Sequence, residues 1–349
     1  MPMPTNAPET PVPSPKNFAM LPLRSALLAA CVSLSAATAL AAPSAAGFTC
    51  TVTPNRAVEI AEGGRLRARF EFAHDTSSPA RRLETYKPFL HVFDESGRTL
   101  ITKGAGGEYT HHRGIFIGWM KITHQGKTLD RWTMQGGEQV VDGTPSCASD
   151  AGSATVTAQI IWHDESKRPL LTERRELIFR PGAAPVYSVI DITSELTAAQ
   201  GDVVLDGDPE HAGVHFRAAD KIDRTKVTYG FPGTAIDPRK ARDLAWAGMT
   251  FSLDERVYTV VQIDHPANPR GTRASAYRDY ARLGLFPAIT LKAGERAVLR
   301  YRFVIATGPL PAAAALQDYA NTFTGRADPV PALTIRPADQ PAPRPARKS

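Results

Sequence analysis

An alternation of polar and apolar residues appears near both ends of the body of this chain, without a break in the first instance. Arg65-Leu-Arg-Ala-Arg-Phe-Glu-Phe72 repeats with a period of two, and so does Val298-Leu-Arg-Tyr-Arg-Phe-Val-Ile305. Successive side chains of an extended strand point to opposite faces, so this period builds sheets with one buried and one wet face. Ile115 to Lys121, Ala154 to Trp162, Arg175 to Phe179, Val186 to Thr193 and Val257 to Ile263 are further strand signals. Clusters of Gly, Asp, Pro and Ser separate them. Helical pattern is scarce: Pro311 to Phe323, with Pro in its first turn, predicts one helix, and Asp237 to Ala245 a short surface turn of helix. The expectation is an all-β chain, a large antiparallel β-sandwich of supersandwich-like build with one short C-terminal helix.

Both ends stand apart from this body, which spans residues 48–325. Residues 1–41 read as a leader and signal peptide: Met20 and Arg24 precede the apolar run Ala26 to Ala42, and Ala39-Leu40-Ala41 forms a small-x-small cleavage site. A lipoprotein signal ending in Leu28-Ala29-Ala30-Cys31 is the competing reading, but the apolar run before Cys31 is short for one. The run is also too short and Ala-rich for a membrane span, so the expected location is the periplasm or the medium. Residues 326–349, rich in Pro, Ala and Arg, read as a disordered tail.

These ends also carry most of the charge. The formal net charge is +6, of which the leader (Lys16 and Arg24 against Glu9) holds +1. The tail (five basic, two acidic residues) holds +3, leaving the body at +2. A body so nearly neutral argues against nucleic-acid binding. Export leaves Cys50 and Cys147, and two states stand open for them: a single disulfide closing a loop of roughly a hundred residues, or two unpaired thiols.

The body holds all nine histidines, and most cluster in polar segments beside strands. Gly104-Ala-Gly-Gly-Glu-Tyr-Thr-His-His-Arg-Gly114 packs Glu108, His111, His112 and Arg113 ahead of an apolar strand. His91 closes Tyr86-Lys-Pro-Phe-Leu-His91, Glu210, His211, His215 and Arg217 fall within Asp208 to Arg217, and His265 and Asn268 stand in Asp264-His-Pro-Ala-Asn-Pro269. On a strand, His111 and His112 would face opposite ways, so only one would serve a shared site unless the chain turns there. His211 and His215 would lie about 13 Å apart on a strand, too far to share one metal ion.

Three readings fit this set. In the first, His111, His112, His211 and His265 work with Glu108 as acids and bases on a sugar-like substrate, while Lys87, His91, Arg113, Glu210, Arg217 and Asn268 bind its hydroxyls or a carboxylate. In the second, three or more histidines from distant strands gather a divalent ion or copper, although no compact metal signature is present. In the third they are caps and loop residues. Dinucleotide-binding, P-loop, nucleophile-elbow and CxxC signatures are all missing from the sequence.

Taken together, Tyr86 to His91, His111-His-Arg-Gly114, His211 to Arg217, Asp264 to Pro269, Gly284-Leu-Phe286 and Leu291-Lys-Ala-Gly-Glu-Arg296 resemble a secreted bacterial family, the methane oxygenase PmoA-like family of unknown function (DUF6807). The resemblance spans about residues 50 to 323. The Leu-x-x-Gly-Glu segment feeding the last strand also looks like the galactose mutarotase-like sandwich, which implies a sheet face that binds carbohydrate through His and carboxylate groups. The resulting expectation is an enzyme that epimerises, eliminates or hydrolyses a sugar, with no cofactor required. A non-catalytic carbohydrate-binding protein is the competing class, and a metal-dependent oxygenase, as the family label implies, is the third.

Overall fold

We describe residues 47–107, 109–134 and 136–340 of a computed structural model. The expected signal peptide and lipobox, Glu108 and the last nine residues lie outside the described residues.

Alternating sequence becomes three antiparallel sheets among the described residues. The first orders strands Phe48–Thr53, Ala57–Glu62, Arg65–Glu71, Phe89–Val92, Ile115–Trp119, Ala212–Arg217, Arg282–Phe286 and Arg273–Ser275. The second orders Leu333–Pro337, Thr228–Pro232, Trp246–Leu253, Arg256–Asp264, Arg296–Thr307, Val186–Ala198, Pro169–Arg180, Ala154–His163 and Glu138–Ser149. A small third sheet joins Ile289–Leu291, Val203–Asp206, Lys121–His124 and Lys127–Leu129. The inward residues of the two large sheets, such as Ile60, Phe70, Ile117 and Val214 against Leu177, Ile192, Phe303 and Ile305, form one buried cluster. This is the all-β sandwich that the period of two predicts.

Where strands read as continuously apolar, a second layer covers the other face. Helix Ala313–Thr324 lays Leu316 and Ala320 on Val189, Val261, Ile263 and Val304, on the outer side of the second sheet. Strand Arg256–Asp264 is therefore buried on both faces, which explains why Val260, Val261 and Ile263 break the alternation of polar and apolar residues.

Three local expectations need correction. Residues 326–340 are not a featureless tail: Leu333–Pro337 pairs with Thr228–Pro232 and extends the second sheet. Asp237 to Ala245 makes a single turn closed by Ala241 N–H donating to the Asp237 carbonyl, and no helix follows. A helix unforeseen in the sequence spans Pro79–Thr85, with Ser78 accepting from the Arg81 N–H as N-cap and Pro79 at its start.

Cys50 and Cys147 form a disulfide with Cα atoms 6.2 Å apart. It ties strand Phe48–Thr53, an edge of the first sheet, to strand Glu138–Ser149, an edge of the second. Closing 97 residues of chain lowers the entropy of the unfolded state. Replacing both cysteines by serine should cost about 4 kcal/mol and lower Tm by roughly 10 °C, measured by calorimetry. An unchanged Tm would mean the bridge contributes nothing.

Candidate functional site

The outer face of the first sheet carries the unusual residues. In strand Ala212–Arg217, Val214 and Phe216 point into the core, so His215 and Arg217 share the opposite face. Phe116 does likewise beside Ile115 and Ile117, and Arg282 and Gly284 beside Leu283 and Leu285. A loop carrying Trp132 closes over this face. Asp130 Oδ1 accepts from the N–H groups of Trp132 (2.7 Å) and Thr133 (2.8 Å), which tightens the loop. Gly118 permits its approach, since a Cβ there would lie 2.4 Å from the Arg131 carbonyl oxygen.

The Trp132 ring is the platform on which the histidines gather. His215 meets it edge-on at 4.7 Å between centroids, His211 at 5.9 Å and His112 at 6.2 Å, and Phe116 packs at 4.7 Å. His111 and His112 both join this group, with ring centroids 4.2 Å apart. They do so because residues 109–111 turn, with the His112 N–H donating to the Tyr109 carbonyl, so strand alternation does not apply to them. His215 Nε2 donates to the Ala212 carbonyl at 2.7 Å, and its ring lies over Gly284, where a Cβ would come within 2.3 Å of it.

A cavity of about 630 Å³ opens beside this platform, bordered by His112, His211, Glu210, Arg217, Tyr280 and Lys103 among others. His211 Nδ1 lies 2.9 Å from both carboxylate oxygens of Asp208. Neither ring nitrogen of His112 has a hydrogen-bond partner among the described residues. Burial, and then the Arg217 charge, push the pKa of His112 far below the usual imidazole value, so the ring is neutral. Burial and the nearby Lys87 charge take His111 down to about 3, and burial takes His215 well down too.

Charge around the cavity is largely paired. Arg278 Nε donates to Glu210 Oε1 at 2.6 Å and Arg282 Nη2 lies 3.3 Å from Glu210 Oε2. Arg224 holds Asp279, and Lys103 holds Asp220. Burial alone would raise the Glu210 pKa, but Arg282 and Arg278 outweigh it and hold the carboxyl below its usual range. Glu210 thus reaches the site as an anchored anion.

Several expected site residues are elsewhere. Arg113 is buried with its guanidinium donating to the carbonyls of Leu83, Glu84 and Thr110, so it closes the last turn of helix Pro79–Thr85. Lys87 is 1 % exposed, donates to the Trp132 carbonyl at 2.8 Å and lies 3.9 Å from the centre of the Phe116 ring. Burial, then the Arg113 charge, pull its pKa well down. His91 shares a hydrogen bond with Thr102 Oγ1 and borders a second cavity of about 400 Å³ with Lys87 and Gly104. Burial lowers its pKa to about 4. His265 stacks edge-on with Phe323, and Asn268 bonds Asp264 and the Arg300 backbone, so that loop docks the C-terminal helix and does not reach the histidine platform. Glu108, a predicted catalytic carboxylate, lies outside the described residues.

Sequence reasoning missed Trp132, Asp208 and Arg282. The tight Asp130-Arg-Trp-Thr133 turn and the Asp three residues ahead of His211 were the available signals. Among the described residues no three His, Cys, Asp or Glu side chains are placed to hold a metal ion. No helix of the described residues is long and apolar enough to cross a membrane.

The model of a family of unknown function (DUF6807) matches residues 57–321, and the chain belongs to that family. No curated protein matches. Among solved structures, a mutant of heparan sulfate lyase HepC from Pedobacter heparinus is 8% identical with a TM-score of 0.36, covering 76% of this chain and 36% of that one. The chain spans about a third of that lyase. A galactose mutarotase-like protein from Lactobacillus casei is 8% identical with a TM-score of 0.35, covering 74% of this chain and 100% of that one. A polysaccharide lyase is 12% identical with a TM-score of 0.29, covering 76% of this chain and 33% of that one. None of these likenesses assigns a substrate or reaction, and nothing ties the chain to methane oxygenase.

The neutral histidines have a measurable consequence. His91, His111, His112 and His215 are all held below 6.5, so between about pH 4 and 6.5 the unfolded chain binds more protons than the folded one. Stability should therefore be full above pH 6.5 and fall in acid, by at most about 1.4 kcal/mol per pH unit for each histidine. Asp264, raised by burial to about 6, opposes only one of them. A Tm that stays flat from pH 7 to 5 would contradict this. Separately, Gly284→Ala should destabilise by about 1–3 kcal/mol, because the buried His215 ring has no room to retreat, and denaturant titration would read the loss.

Proposed function

We propose that the cavity takes a carbohydrate and that His211, held by Asp208, exchanges a proton with it. The observation that carries this reading is the His211–Asp208 contact at the cavity wall, 2.9 Å from Nδ1 to either carboxylate oxygen. Asp208 accepts from Nδ1–H, which leaves Nε2 as the acceptor, the arrangement a general base needs. His112, neutral and without a hydrogen-bond partner at either nitrogen among the described residues, can donate to one hydroxyl and accept from another. Glu210 is tied to two arginines, so within the described residues the acid–base role falls to His211 with Asp208, and His112 serves as a hydrogen-bonding group. Sugar epimerisation, elimination and hydrolysis all use such groups.

We also propose export. The Arg24 and Ala26 to Ala42 pattern supports it, and the Cys50–Cys147 bridge suits an oxidising compartment.

Turnover and binding should be measured on a panel of sugars for the wild type, His211→Ala, Asp208→Asn and His112→Ala. His211→Ala should lose about 10²- to 10⁴-fold in turnover while sugar affinity stays close to wild type, and His112→Ala should lose turnover as well. Full turnover in His211→Ala would sink the acid–base assignment. Wild-type protein that binds sugar without turning it over would place the chain in the non-catalytic binding class.

A further inference from the structure

The other cations described around the cavity each have a carboxylate partner, and Arg217 does not. It is 5 % exposed, its Nε and Nη1 are buried without a hydrogen-bond partner, and no ion pair reaches it among the described residues. Its guanidinium lies over the Tyr280 ring, 4.4 Å from the centroid. Directly across the strand pair stands another guanidinium, since Arg217 and Arg282 are register partners. Like charges facing each other across a ladder repel, and Glu210 is already engaged by Arg282 and Arg278. Burial, then Arg282, pull the Arg217 pKa down to about 10, which still leaves it cationic at neutral pH. A buried, unpaired charge at the edge of an open cavity is costly to keep, and an anionic ligand group would remove that cost.

We propose that Arg217 receives the carboxylate of an acidic sugar, so that the substrate class of this cavity is uronic acids. This rests on the carbohydrate reading of the same cavity and narrows it. The planar guanidinium matches a carboxylate in geometry as well as charge. A neutral hexose would leave the guanidinium unpaired, which is how a polar site rejects the wrong ligand.

The test is calorimetric titration of the whole protein with glucuronic acid, galacturonic acid, their methyl esters, the parent hexoses, a sulfated hexose and succinate. The wild type should bind a uronic acid about 10- to 100-fold more tightly than its ester. Arg217→Met should erase the difference between acid and ester, and Arg217→Lys should retain part of it. The acid–ester comparison in wild-type protein needs no variant, so it stands even if Arg217→Met fails to fold. Equal affinity for acid and ester overturns the uronic-acid proposal and leaves the carbohydrate reading intact. Tighter binding of the sulfated hexose than of either uronic acid also overturns it, in favour of a sulfate. Succinate binding as tightly as the uronic acids, and losing that affinity in Arg217→Met, upholds the carboxylate site but overturns the carbohydrate reading. No binding by any of these ligands overturns both.

Discussion

Trp132 determines what the outer face of the first sheet can be. Without it, His215, Phe116 and the buried end of Lys87 would stand in water on an exposed sheet. Its ring meets three imidazoles and one phenyl ring, and its carbonyl accepts from Lys87 Nζ. An aromatic plate of this size removes more water than any neighbouring side chain, and its edge-on contacts fix ring orientations. Everything polar around it then acts at low dielectric, where charges and unmade hydrogen bonds count for more.

Low dielectric explains the division of roles among like residues. Lys87, Arg113 and Arg217 are all buried cations within reach of the histidines, and each presses the imidazoles toward their neutral form. Two of the three are satisfied by the protein. Lys87 has a backbone carbonyl and an aromatic face, and Arg113 has two carbonyls at a helix end and the Thr110 carbonyl. Helix Pro79–Thr85 and the turn before His112 are thereby held together through Arg113, so a residue next to the paired histidines contributes architecture. His111 and His112 are left as uncharged hydrogen-bonding groups, which suits contact with hydroxyls better than with a second cation.

The fold was legible because alternation survives averaging over long strands, as in Arg65 to Phe72 and Val298 to Ile305. Convergence of the site was only partly legible. Period two puts His215 and Arg217 on one face of their strand. It could not show that the chain turns at residues 109–111, bringing His111 and His112 together, because Tyr109-Thr-His111 carries none of the Gly, Pro, Asn or Asp residues that mark a turn. Nor could it separate Arg113 from Arg217, since the helix that absorbs Arg113 gave only the weak Ser78-Pro79 signal. The Asp264 to Pro269 loop looked like a site because it is polar and stiff. Those same properties serve to pin the C-terminal helix, with Asn268 closing backbone groups of the neighbouring strand. Polar stiffness has two uses, and only partners in space distinguish them.

The same distinction bears on why His112 and Arg217 matter more than their better-bonded neighbours. Protein interiors pair their buried polar groups, and each unpaired one costs about 1–3 kcal/mol of stability. The body meets that rule at Asn268, Arg113 and Glu210, whose hydrogen-bonding groups are taken up by the chain itself. Among the described residues several buried groups break it, Trp119, Trp246 and Tyr301 in the core among them, and two of those side chains, His112 and Arg217, border one cavity. A fold stabilised by a large inter-sheet core and a disulfide across its sheet edges can tolerate that cost. Where such groups face an opening, as His112 and Arg217 do, a ligand can supply the partners the chain withholds.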